Sequence, residues 1–257
     1  MTLFGSDLTK VERRMLKNSA ETKSVFLEET NLIEFGLKLM WDSTGITQKA
    51  RKDFAENPNL VANTNLFGRN RQLLTNSYSC MLFATYGTQF VNLRVVLENN
   101  NLMRLFNFSH RQAYSWLDKD KQNEFSPKIQ SRFKKCKTHK HFSPSSVLRK
   151  IHKKTGHNKA KTSAAKIYGQ LCDYTHPNFL GWQELMGIQG SSEVLLELPV
   201  FVGENTDNSL KVMLYLILYS FKTFVETFNP YIDVYTANQL AEWQEKYNKI
   251  MPKYMGK

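Results

Sequence analysis

Three side chains in the stretch YGQLCDYTHPN, residues 168–178, have the types and the spacing to do chemistry: Tyr168, Cys172 and His176. Set four residues apart, they share one face of a helix. Pro177 disfavours helical backbone for the residue before it, so His176 ends that helix and projects into a groove between neighbours. An imidazole with an ordinary pKa of about 6.5 serves as acid or base near neutrality. A histidine there is equally served by the helix macrodipole, which stabilises its cation. Cys172 reads as a small core residue on the same helix.

A second pair lies upstream in NLRVVLENN, residues 92–100, where Arg94 and Glu98 meet on a helix surface. Arg94 falls beside Val91 and Val95 in projection and so borders an apolar stripe. Arginine before glutamate is the weaker order for simple helix support, and a partly buried ion pair needs further partners. The planar guanidinium suits phosphate oxygens, with the carboxylate orienting it. A structural ion pair is the plainer alternative.

Charge is the third signal. Net charge is +12, and residues 126–166 hold 13 of the 35 Lys and Arg and none of the 23 Asp and Glu. A block this localised is an electrostatic footprint for a polyanion. Arg132, Lys134, Lys135, Lys137, Lys140, Arg149, Lys150, Lys153 and Lys154 are the candidate nucleic-acid contacts, with Phe133, Phe142 and the histidine side chains of the block available to stack on bases. A solvated helix face, or a surface docking on an acidic partner, would also account for the charge.

Other chemistries are poorly supported. Cys136, His139 and His141 offer three zinc ligands without a fourth, and neither CxxC nor HExxH occurs, so no metal and no cofactor are expected. The glycines of GWQELMGIQG have the wrong spacing for a phosphate loop. Three widely spaced cysteines suggest no disulfide framework and a reducing compartment. The opening MTLFGSDLTKVERR lacks a secretory apolar segment, and VMLYLILY, 212–219, is too short to span a bilayer. A soluble, cytoplasmic protein with no membrane partner is the expectation.

The elements that must position these residues read as helices. With 41% hydrophobic residues, 7 Pro and 12 Gly, the chain has a core and few of the turn residues an all-β protein needs. Ser6 opens a first helix, and a second pattern runs from Ala20 to Asp42. A short helix spans Thr47–Glu56. NPNLVANTNLFGRN, rich in asparagine, reads as a loop. A long helix follows from Arg69, with a bend at Gly87, and then a short one in HRQAYSWLDKD. Ser126-Pro127 and Ser143-Pro144 each start a helix, the second stopping at Gly156. Residues 177–207 read as an irregular insertion, with SSEVLLELPVFVG as strand or apolar loop. Asp207 or Asn208 opens an apolar helix to Phe228, and a last amphipathic helix covers Tyr235–Ile250. The prediction is a single all-α domain over 1–257, an antiparallel bundle of six or more helices. Residues 1–60 form a helical extension packed on it.

LRVVLE on a long helix, the aromatic RLFNFSHRQAYSWL after it and YGQLCDYTHPN on a later helix together resemble a group of bacterial HEPN-like proteins. In that group an R-x3-E element precedes a Tyr-x2-Leu-Cys/Ser…His element. The resemblance covers about residues 69–182. It implies a helical bundle, often a homodimer, and a metal-independent endoribonuclease of toxin–antitoxin or phage-defence systems, with an antitoxin or defence protein as partner. RNA is then the expected nucleic acid rather than DNA. Arg94, Glu98, Tyr168 and His176 are the residues carried over as the site. His176 would deprotonate a ribose 2′-OH, Arg94 would stabilise charge on the phosphate, and Glu98 would orient it. The nuclease pattern also sets an Arg before its His with four to six residues between them. His176 lacks one, whereas Arg104-x5-His110 and Arg132-x6-His139 match in spacing. Two non-catalytic readings stay open: a helical nucleic-acid- or protein-binding module using 126–166, and an inactive HEPN-like subunit that serves oligomer assembly.

Overall fold

The computed structural model describes residues 3–136, 138, 142–156, 166–169, 171–172 and 203–255. Every regular element among them is helical, the class expected from composition and periodicity. α1 (Leu3–Val25) and α2 (Leu27–Asp42) are separated only at Phe26, so the pattern expected to run unbroken from Ala20 is divided. α3 (Thr44–Ala50) leads through a 3-10 turn, Arg51–Glu56, into α4 (Pro58–Leu82) and α5 (Tyr86–Phe108). Three short helices follow: α6 (His110–Trp116), α7 (Lys119–Asn123) and α8 (Pro127–Phe133). Next come α9 (Pro144–Thr155), a helical stretch at 166–169 and 171–172, then α10 (Gly203–Phe228), α11 (Val234–Ile250) and α12 (Pro252–Met255).

Local chemistry sets several of these bounds. Ser126 Oγ accepts from Ile129 N and Ser143 Oγ from Ser146 N, with proline in each first turn. Gly156 closes α9 at φ +70°, the left-handed conformation that suits a residue without a side chain. α10 starts at Gly203, ahead of the expected Asp207. The end of the supposed insertion, 203–207, is therefore helical, while 177–202 lies outside the described residues.

The largest departure from expectation concerns the asparagine-rich stretch at 57–70. It is not a loop: it forms the first half of α4, with Pro58 in the first turn. The cause is tertiary. Asn63 Nδ2 donates to Asn107 Oδ1 at 2.7 Å and to Thr227 Oγ1 at 2.9 Å. Seven residues on, Asn70 Nδ2 donates to Asn100 Oδ1 at 2.8 Å and accepts at Oδ1 from Asn99 Nδ2 at 2.8 Å. Asn100 Nδ2 reaches Ser220 Oγ at 3.0 Å. Two buried polar layers, two helical turns apart, thus join α4, α5 and α10. Their pairing sets α4 running against α5, and α10 running alongside α5. Asparagine is a middling helix former, and cross-helix amide bonds override that weak preference.

The long helical pattern breaks at 83–85, ahead of the expected Gly87, which sits in the first turn of α5. Ala84 adopts φ +58°, and Thr85 N donates back to Cys80 O at 2.8 Å. A left-handed alanine costs about 1–2 kcal/mol, which the close packing of α4 on α5 outweighs.

Elsewhere the core is aromatic. Phe67 and Phe224 lie 4.4 Å apart between ring centroids. α11 docks through Trp243, fully buried, whose Nε1 donates to Leu32 O at 2.9 Å. Gly36 makes that seat: a Cβ there would fall 2.7 Å from Trp243 Nε1 and 2.9 Å from Ile217 Cγ2. Much of VMLYLILY is core, and no described helix is long and apolar enough to cross a membrane.

Candidate functional site

Arg94 sits midway along α5, its neighbours Leu93, Val96 and Leu97 buried in the bundle. Its own side chain is only 25% exposed and that of Glu98 30%, which places the pair at the edge of the core rather than in bulk solvent. Arg94 Nε donates to Glu98 Oε1 at 3.3 Å, and Nη2 donates to the Tyr168 hydroxyl at 3.3 Å. The guanidinium also lies 5.5 Å from the Tyr168 ring centroid, within cation–π range. The structure therefore joins three of the four expected site residues across two helices.

Electrostatics reinforces the grouping. Burial pulls the Arg94 pKa down, but the Tyr168 hydroxyl, Cys172 and Glu98 together raise it, so the cation is held firmly. Burial pushes the Tyr168 phenol up and Arg94 pulls it down, while a hydrogen bond with the Cys172 thiol raises it further. Cys172 is half-buried and joined to this polar cluster, so it is more than the core filler its type suggests. His176, the proposed base, lies outside the described residues.

Of the pairs with nuclease-like spacing, Arg104 and His110 are both described, and they are not joined in the same way. Arg104 faces α10, where it draws down the phenols of Tyr215 and Tyr219 against the dominant effect of burial. His110 feels Arg132 instead: burial first, and that guanidinium second, hold its pKa below the ordinary histidine value. His139 lies outside the described residues.

The basic segment turns cations to solvent on two helices. α9 buries Val147, Leu148 and Ile151, packs against α5, and leaves Arg149, Lys150, Lys153 and Lys154 exposed. α8 buries Ile129 and Phe133 and exposes Lys128 and Arg132, with Lys134 and Lys135 just beyond. Among the described residues none of these eight cations forms an ion pair with a carboxylate. Lys150 Nζ donates to Gln112 Oε1 at 2.8 Å, so α6 helps to fix that lysine. Lys137 and Lys140 lie outside the described residues. Sequence reasoning passed over Lys128, although it belongs to the same block, and Gln112, which no sequence pattern marks.

The expected stacking rings are corrected. Phe133 is only 6% exposed and lies 5.1 Å from Tyr114, centroid to centroid. Phe142 is half-buried, edge-on to Phe106 at 6.1 Å, with Lys150 Nζ 5.3 Å from its centroid. Both rings serve as packing that seats the basic helices. Among the described residues no group of three or more His, Cys, Asp and Glu could hold a metal ion. No family model, no characterised protein and no solved structure matches this chain.

Proposed function

We propose that this chain is an HEPN-like, RNA-acting protein: a metal-independent endoribonuclease of a toxin or phage-defence system, built as an antiparallel helical bundle and working as a homodimer. The observation that carries the reading is Arg94, held by Glu98 on its own helix and by Tyr168 from another, on the same α5 that supports the basic α9. Such a guanidinium is oriented before substrate arrives, and preorganised charge stabilises a transition state at little reorganisation cost. In this reaction His176 takes the proton of a ribose 2′-OH, and the freed oxygen attacks the adjacent phosphorus. Arg94 offsets the charge growing on the phosphate oxygens. The 5′-oxygen leaves and takes a proton from water, giving a 2′,3′-cyclic phosphate. Tyr168 and Glu98 position Arg94.

The test is RNA cleavage by the full chain in excess chelator. Arg94→Ala and His176→Ala are each expected to lower the rate at least 100-fold, with RNA affinity within threefold of the parent. Tyr168→Phe removes the acceptor of Arg94 Nη2 and is expected to cost about 10-fold in rate. Undiminished cleavage in both alanine variants would falsify the assignment.

A second reading, a non-catalytic nucleic-acid-binding module, is favoured by the eight cations around α8 and α9 that have no carboxylate partner among the described residues. It predicts tight RNA binding with no cleavage in any variant.

A further inference from the structure

We infer that the α8–α9 face takes base-paired RNA, gripping the phosphates of a stem, and does not read unpaired bases. The inference rests on the nucleic-acid reading above and names its substrate class.

Proteins that hold single strands combine a basic track with open aromatic rings on which successive bases stack. Among the described residues this face has the track without an open Phe, Tyr or Trp ring, and its one imidazole, His152 on α9, is half-buried. Tyr114, Phe125 and Phe133 are 6%, 4% and 6% exposed, all consumed in one ring cluster beneath α8. Phe142 is held edge-on by Phe106 and overlaid by Lys150. Phe108, 40% exposed, belongs to the last turn of α5 and not to α8 or α9.

A base-paired stem asks for none of these rings. Its bases are already stacked on one another, and it presents phosphates and 2′-hydroxyls on a regular outer surface that proteins recognise by shape and charge. α9 supplies the matching element. Arg149 and Lys150 recur one turn later as Lys153 and Lys154, giving two cations at each of two levels about 6 Å apart along the helix. The Gln112 tether fixes one of them before binding, which lowers the entropy lost on contact.

The experiment measures affinity of the full chain, across a salt series, for an RNA hairpin, an unpaired oligouridine of equal length and a DNA duplex. The hairpin is expected to bind at least 10-fold tighter than the oligouridine and more tightly than the DNA. Lys153→Glu with Lys154→Glu should weaken hairpin binding at least 10-fold and reduce the salt slope by about 2. Phe108→Ala should leave it within twofold. Equal or tighter binding of oligouridine, or a 10-fold loss in Phe108→Ala, would show that bases are read and overturn the inference. DNA bound as tightly as the hairpin overturns the assignment to RNA. Absence of binding to all three at the lowest salt overturns the nucleic-acid reading itself.

Discussion

α9 and α11 are both amphipathic helices that lay an apolar stripe on the bundle and turn lysines to solvent, yet their charges have different fates. On α11, Lys246 meets Glu242 at 2.7 Å and Lys249 meets Glu245 at 2.7 Å, while the cap Asp233 meets Lys49 at 2.9 Å. Just beyond, Lys253 reaches Glu28 at 2.6 Å. On α9, Arg149, Lys150, Lys153 and Lys154 have no carboxylate partner among the described residues. Clustered like charges repel one another and weaken a fold unless a counter-charge arrives from outside. α11 therefore satisfies its charge within the molecule, whereas α9 leaves four cations without a carboxylate counterpart among the described residues, as the proposed RNA-binding role requires. Fold stability should consequently reside in the apolar seat of α11, and ligand affinity in the polar face of α9.

The largest expected effect breaks the comparison at α9. Reversing Arg149, Lys150, Lys153 and Lys154 to glutamate should weaken RNA binding by about 10³-fold or more at low salt and reduce the salt slope by about 3–4. The same change at Lys246 and Lys249 should leave RNA binding within twofold, both read by fluorescence anisotropy. Next comes the seat of α11. Trp243→Ala removes a fully buried ring and should cost about 3–5 kcal/mol in denaturant unfolding, without altering the affinity of whatever remains folded. Gly36→Ala drives a methyl into the same indole and should cost about 1–3 kcal/mol by the same measurement.

A smaller effect sharpens the contrast through pH. The backbone hydrogen bond from Thr236 chiefly, and Lys49 after it, hold the Asp233 carboxyl down to about 2, from 3.8. A depressed carboxylate contributes stability that is present above the unfolded pKa and lost as pH falls through the folded one. Asp233→Asn should therefore flatten the acid limb of the stability curve between about pH 4 and pH 2. Smallest of all, Lys249→Ala deletes one exposed ion pair and should leave the thermal midpoint unchanged within error.

How far the sequence could be read depends on the range of the interaction involved. The Ser-Pro starts at Ser126 and Ser143, the stop at Gly156 and the span of α11 were legible, because each is decided by residues within one or two turns. Arg94 with Glu98 was legible for the same reason, four residues apart on one helix. The helical nature of 57–70 was misread because asparagine speaks locally for a loop. Its evidence lay in the seven-residue recurrence of Asn63 and Asn70, of Asn100 and Asn107, and of Ser220 and Thr227. That heptad-like spacing of small polar residues on three helices was a usable signal, since repeated polar positions fix helix register. The break at Ala84 carried no comparable mark.

The sequence by itself determined the helical class of the described residues, the caps at Ser126, Ser143 and Gly156, a concentration of positive charge in one acid-free segment and the pairing of Arg94 with Glu98. The starts expected at Ser6 and at Asp207 or Asn208, in contrast, lie inside longer helices. Only the tertiary structure decided that Arg94 meets Tyr168 across helices, that Phe133 and Phe142 are committed to packing, and that α9 turns four cations outward without a carboxylate partner among the described residues. Helix type and charge density follow from neighbours along the chain. Exposure of a ring, or the partner of a guanidinium, depends on which distant surfaces close over it when the apolar faces are buried.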